Sequence, residues 1–127
     1  MKLLTKRVLV AEDDRFLRRA CEEALRQLGL TVLTAADGEE ALKIARSQSL
    51  DLILLDLLMP KLNGIEVLRA IRSEETIRSI PVVILTNSSR EQYADQAKQL
   101  GVDGFHVKAN LSLKQLTDKI TSLLLKE

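Results

Sequence analysis

The sequence predicts an α/β domain built as a doubly wound, five-stranded parallel sheet, and three observations predict it. Four short runs are rich in Val, Leu and Ile without strict polar alternation, as in strands covered on both faces. Between them lie segments whose apolar residues recur at three- and four-residue spacing, the period of a half-buried helix. Strand and helix then alternate five times in 127 residues, with short joints such as Asp37-Gly38, Asn63-Gly64 and Asp103-Gly104.

The first strand is RVLVA, Arg7 to Ala11. Phe16, Leu17, Ala20, Cys21, Ala24, Leu25 and Leu28 form the apolar stripe of the first helix, and Gly29 stops it at C′. TVLTA, Thr31 to Ala35, is a second strand of the doubly covered kind, followed by a shorter helix marked by Ala41, Leu42 and Ala45. LILLD, Leu52 to Asp56, is the third strand, with Asp51 a turn acid at its start; Ile65, Leu68 and Ile71 mark the third helix. VVILT, Val82 to Thr86, precedes a helix carrying Tyr93, Ala94, Ala97 and Leu100 before Gly101. GFHVK, Gly104 to Lys108, alternates and reads as an edge strand. Leu113, Leu116, Ile120, Leu123 and Leu124 mark the last helix. Right-handed crossovers place every strand's C-terminal end on one edge of the sheet, where open α/β folds put their sites.

Composition narrows the function. A formal net charge of +1 supplies no field that would favour nucleic acid or an anionic membrane, and the scarcity of aromatic residues argues against a base-stacking platform. No run approaches the roughly 20 apolar residues of a membrane span. The basic N-terminus has its apolar run cut by three acids, which argues against a signal peptide. One cysteine, Cys21, cannot form an internal disulfide and reads as a small core hydrophobe. A reducing cytoplasm is the expected location, and residues 1–127 are expected to form one domain.

The strand ends carry the chemistry. The first delivers Glu12, Asp13 and Asp14, the third Asp56, the fourth Thr86 with Asn87 and Ser88, and the fifth Lys108. Converging carboxylates repel one another and raise a pKa unless a cation sits among them. A hard divalent ion such as Mg2+ takes just such oxygen ligands, together with waters and substrate phosphate. Thr86 can donate a hydroxyl hydrogen bond, and Lys108 a point charge, to the same phosphate oxygens.

In order and at matching separations, VLVAEDD followed by RR, LILLDLLMPKLNG, VVILTNSS and GFHVK resemble the receiver domain of bacterial two-component response regulators over essentially the whole chain. The resemblance implies a flavodoxin-like strand order, 2-1-3-4-5, an order for which general accounts of the fold already cite a member of this family. It also implies Mg2+-dependent transfer of a phosphoryl group onto Asp56 from a phosphohistidine on a sensor histidine kinase or a histidine phosphotransfer protein. Asp13 would be the direct metal ligand, Glu12 a ligand through water, and Leu58 a ligand through its main-chain carbonyl. Thr86 would be the hydroxyl switch residue, Lys108 the phosphate-pairing lysine and Phe105 the aromatic switch position. Such a domain catalyses its own phosphorylation and dephosphorylation without turning over an external substrate. Its partner-binding face lies on the fourth and fifth helices and the fifth strand.

Several positions depart from the family pattern. Glu12 replaces the commoner Asp with a longer arm. KAN follows where lysine-proline is usual, and a cis Lys108-Ala109 bond would cost about 3 to 4 kcal/mol against about 0.5 to 1 for a prolyl bond, which favours trans with an altered loop. Asn87 narrows access to Asp56, and Leu58 cannot hydrogen-bond an attacking water, so the phosphorylated form is expected to be long-lived. Asp14 reads as a helix cap ahead of a metal ligand. Thr86, next to Asn87 and Ser88, is a candidate to cap the fourth helix, a role compatible with phosphate contact. His106 has no partner for metal binding. Arg15, Arg18 and Arg19 are either a kinase-docking patch or a solvated helix face. The main competing reading is a receiver-like interaction module that works without phosphorylation. A flavin carrier is disfavoured by the repulsion of EDDR for a phosphate, and a phosphatase by the lack of a second acid after Asp56. No effector domain follows the last helix, so the chain is read as either a stand-alone receiver or a piece of a longer regulator. The downstream target is unassigned, with no direct nucleic-acid or membrane binding expected and homodimerisation left open.

Overall fold

A computed structural model describes residues 5–87 and 91–126. Its elements run β1 (Arg7–Ala11), α1 (Arg15–Gln27), β2 (Thr31–Ala35), α2 (Gly38–Ser47), β3 (Leu52–Asp56), α3 (Gly64–Ser73), β4 (Val82–Thr86), α4 (Glu91–Gln99), β5 (Gly104–Val107) and α5 (Leu113–Leu125). All strands pair parallel in the order β2-β1-β3-β4-β5, as the resemblance implies. No described helix is long and apolar enough to cross a membrane.

Strand pleating explains the two cores. Leu9, Ile53, Leu55, Val82 and Ile84 point to one face, where Ala41 and Ala45 of α2, Leu68 and Ile71 of α3 and Ala97 of α4 cover them. Val8, Val10, Leu52, Leu54, Val83 and Leu85 point to the other, against Cys21 and Leu25 of α1 and Leu116, Ile120 and Leu124 of α5. β3 and β4 are therefore buried at every residue. Burying one such aliphatic side chain contributes about 1.5 to 3 kcal/mol, so the central strands hold their C-terminal ends firmly in place.

Three expectations need correction. β2 lies at a sheet edge, with Thr31 exposed and Leu33 and Thr34 only partly covered; its lack of alternation reflects α1 and α2 packing over an edge strand. Phe16 is 85% exposed and does not belong to the α1 stripe. The buried direction runs through Leu17, Cys21 and Leu25, and Phe16 stands about 140° round the helix from it. Leu28 and Leu113 are likewise largely exposed at helix ends. β5 is the half-buried edge strand expected, and Gly29 ends α1 at φ 91°. Lys108–Asn110 form a 3-10 turn, and the Lys108-Ala109 peptide is trans.

Candidate functional site

Register brings the strand ends together. Ala11 pairs with Ala35 on one side and with Leu55 on the other, so Glu12 and Asp56 emerge side by side. Thr86 pairs with Val107, which sets Lys108 next to it. The Glu12 N–H still donates to Ala35 O at 3.0 Å, extending the ladder by one bond and fixing where the acidic segment leaves the sheet. Asp14 then caps α1, its Oδ1 accepting from the N–H groups of Phe16 (2.9 Å) and Leu17 (3.1 Å). Its role is the helix cap, as the sequence favours.

Behind β3 the chain turns sharply. The Gly64 N–H donates to Leu57 O at 2.7 Å, and a Cβ on Gly64 would lie 2.5 Å from Asp56 O, so only glycine lets α3 start this close under the strand end. A reciprocal capping box between Asn63 and Glu66 fixes that start.

The result is a cavity of about 270 Å3 lined by Glu12, Asp13, Asp14, Asp56, Leu58, Asn87 and Lys108. A larger surface groove of about 590 Å3 along α2 gathers Asp37, Glu39, Glu40, Lys43 and Lys61, charges of both signs with no converging carboxylates; chemistry, not volume, picks the smaller one. One carboxylate oxygen from each of Glu12, Asp13 and Asp56 lies within 4.8 Å of the others. Glu12 and Asp56 are each 4% exposed, Thr86 is wholly buried and Asp13 is exposed to solvent. Three hard oxygen donors at this spacing fit a Mg2+-type ion.

Lys108 offsets part of the negative charge. Its Nζ lies 2.7 Å from Glu12 Oε1 and 3.6 Å from Asp56 Oδ1. Burial pulls the Lys108 pKa down, but the hydrogen bond it donates to Glu12 and the charge of Asp56 outweigh it and hold the ammonium more strongly protonated than usual. Glu12 Oε2 accepts the Asp14 N–H at 3.0 Å, so both of its oxygens are engaged. The Asp56 pKa is raised as well, to about 8, by burial first and then by the Glu12 charge, with Lys108 opposing, so here it is the charged form that is disfavoured. Its ionised form therefore calls for another cation.

Arg18, read from sequence as part of a docking or solvated cluster, turns inward. Its Nη1 donates to Glu12 O at 2.8 Å and Asp13 O at 3.4 Å, bracing the acidic segment from behind. Arg15 is exposed, and Arg19 meets Glu23 in an exposed pair at 3.7 Å. Phe105 packs, partly buried, against the core covered by α4, whereas His106 is half-buried beside Lys119 and has no part in the acidic cavity. Cys21 is a core residue, its thiol raised to about 11 chiefly by burial. Asn87 lines the cavity mouth and Ser88 lies outside the described residues; Thr86 is the last residue of β4, too far ahead of Glu91, where α4 begins, to be its N-cap.

Residues 8–121 match the response regulator receiver domain family. Among proteins of known sequence, the chain is 39% identical over 124 residues to the probable transcriptional regulator ycf27 of Cyanophora paradoxa, covering 98% of this chain and 50% of that one. It is 34% identical over 117 residues to chemotaxis protein CheY of Pseudomonas aeruginosa, covering 90% and 94%. The chain thus spans about half the length of the ycf27 regulators it matches and nearly all of CheY. Among solved structures it is similar to the response regulator TrrA of Thermotoga maritima in complex with Mg(2+)-BeF, at a TM-score of 0.82 and 32% identity, covering 94% of this chain and 99% of that one.

Proposed function

The chain belongs to the response regulator receiver domain family of two-component signalling, and on that premise we propose that Asp56 accepts a phosphoryl group from a phosphohistidine in a Mg2+-dependent step. The observation that carries this reading is the convergence of the Glu12, Asp13 and Asp56 oxygens within 4.8 Å, with Lys108 beside them, at the end of a wholly buried strand.

In this reading an Asp56 oxygen attacks phosphorus from the donor, the new O–P bond replaces the N–P bond, and the imidazole leaves with the bonding pair. Asp13, Asp56 and the main-chain carbonyl of Leu58 would hold the metal, with Glu12 acting through water. The chemistry such an ion would supply is neutralisation of the repulsion between Asp56 and the incoming phosphoryl oxygens. Burial of β3 aims the nucleophile, so that catalysis is positioning and electrostatics. Lys108 leaves Glu12 to pair with the new phosphate, and the Thr86 hydroxyl donates to it. Those moves bias two states of the face made by α4, β5 and α5, with Phe105 as the second switch residue, and the phosphate shifts them only by its differential interaction with each. The phosphohistidine protein, a sensor kinase or phosphotransfer protein, approaches through the mouth lined by Leu58 and Asn87, with the exposed Arg15 and Arg19 of α1 as docking residues. The domain works in the cytoplasm and passes its signal by protein contact, without binding nucleic acid itself and without turning over an external substrate.

Intact mass after incubation with a small phosphodonor and Mg2+ tests the reading. The native chain should gain one phosphoryl group and Asp56→Asn none. No gain from either a small donor or a kinase would leave the alternative, an interaction module that works unphosphorylated.

A further inference from the structure

The closest approach at any described glycine holds the loop between β3 and α3 from the far side. A Cβ on Gly38, the buried first residue of α2, would lie 2.0 Å from Leu62 O, 2.6 Å from Leu62 Cβ and 2.7 Å from Leu62 C. Two of those are backbone atoms that cannot swing aside. The Gly38 N–H also donates to Pro60 O at 3.3 Å, and the same oxygen accepts the Leu62 N–H at 2.9 Å, closing a three-residue turn around Lys61. Lys61 has φ 72°, the one positive value among described non-glycine residues, in a region that an ordinary side chain enters only when its surroundings impose it. Its ammonium lies 3.6 Å from Oδ2 of Asp37, whose Oδ1 accepts the Glu40 N–H at 2.8 Å to cap α2.

The start of α2 therefore grips the turn three ways, by a steric notch, a backbone hydrogen bond and an ion pair. The loop's other anchor is Leu57 O, which takes the Gly64 N–H at 2.7 Å. Leu58 lies between these two anchors, with its side chain half in solvent. We propose that Asp37 and Gly38 are positioning residues for the acidic site: by clamping the turn at Lys61 they set where the Leu58 carbonyl stands relative to Asp13 and Asp56. The proposal rests on the reading of that carbonyl as a metal ligand. Groups that orient a metal's ligands change its affinity about 10- to 100-fold when removed.

Calorimetric Mg2+ titration of the full chain, paired with amide NMR spectra, tests this. Gly38→Ala should weaken Mg2+ about tenfold, and Asp37→Asn, which keeps a capping oxygen but loses the ion pair, by a smaller factor. Both should move the Leu58 and Met59 amide resonances before metal is added. Ala41→Gly, which loosens the same helix without touching the turn, should leave Mg2+ affinity within roughly twofold of the native chain. The proposal is overturned if Gly38→Ala and Asp37→Asn bind Mg2+ as the native chain does, or if Ala41→Gly weakens it as much. Should Gly38→Ala not fold, Asp37→Asn carries the same comparison. Asp13→Asn separates the two layers: undiminished Mg2+ binding there sinks the reading of the site itself, while undiminished binding in the α2 variants sinks only the clamp.

Discussion

Charged groups sit at both ends of the sheet, and the two ends treat them differently. At the N-terminal edge each finds partners among backbone groups. Asp51 Oδ2 accepts the Arg7 N–H at 2.8 Å, and Asp103 Oδ2 accepts the Val82 N–H at 2.8 Å. The Arg72 guanidinium donates to the carbonyls of Arg78, Ile80, Leu100 and Gly101 and reaches Asp103 at 3.5 Å, tying the end of α3 to the segments before β4 and β5. At the C-terminal edge Glu12 and Asp56 face one another and Asp13, with a single lysine among the described residues to offset them. Partnered charge staples the fold together; under-compensated charge stores a demand for a ligand. The same residue types thus serve stability at one end and chemistry at the other, and the count of compensating groups tells them apart.

The largest expected effect breaks the stapled end. Arg72→Ala should cost about 3 kcal/mol by leaving four carbonyls and Asp103 without their donor, read as a lower urea midpoint, while phosphorylation of the folded chain continues. The site end should respond with the opposite sign. Without metal, Asp56→Asn should stabilise the chain by on the order of 2 kcal/mol, since it removes a carboxyl whose ionisation burial and Glu12 oppose and Lys108 only partly favours. The pH dependence sharpens this contrast. Asp56 has its folded pKa raised from 3.8 to about 8, so its folded form binds the proton more tightly than its unfolded form. The metal-free chain should therefore gain stability as pH falls from about 8 towards 4 and lose it as pH rises through 8, and Asp56→Asn should flatten that slope. Glu74, held below the usual carboxylate range by its hydrogen bond to Arg46, acts in the reverse sense: its contribution is lost as pH falls through its lowered pKa. The smallest expected effect is kinetic. Leu58→Asn supplies a polar group that can orient water at the cavity mouth, so loss of the phosphoryl group, followed by intact mass, should speed up about tenfold. An unchanged rate would remove Leu58 as the cause of a long-lived phosphorylated state.

Much of the fold was legible because central strands announce themselves. RVLVA, LILLD and VVILT become strands over the residues predicted, since burial on both faces leaves no room for polar residues until the strand leaves the sheet. For the same reason the acidic residues, Thr86 and Lys108 could be placed at one edge from their positions after those runs. What sequence could not yield was long-range or angular. Nothing local marks Arg72 as the donor to carbonyls up to 29 residues away. Phe16 looked like part of a stripe because spacing alone does not say which side of a helix faces the sheet. The longer arm of Glu12 could be read but not its partner: Glu12 takes Lys108 at 2.7 Å, while Asp56 stands 3.6 Å from the same ammonium.

Cys21 gives this molecule an internal clock. A lone thiol, 1% exposed beneath α1 and raised to about 11, is protonated and shielded at neutral pH, so an alkylating reagent meets it only when α1 lifts from the sheet. Labelling therefore times the opening of the helix that begins at the acidic cavity.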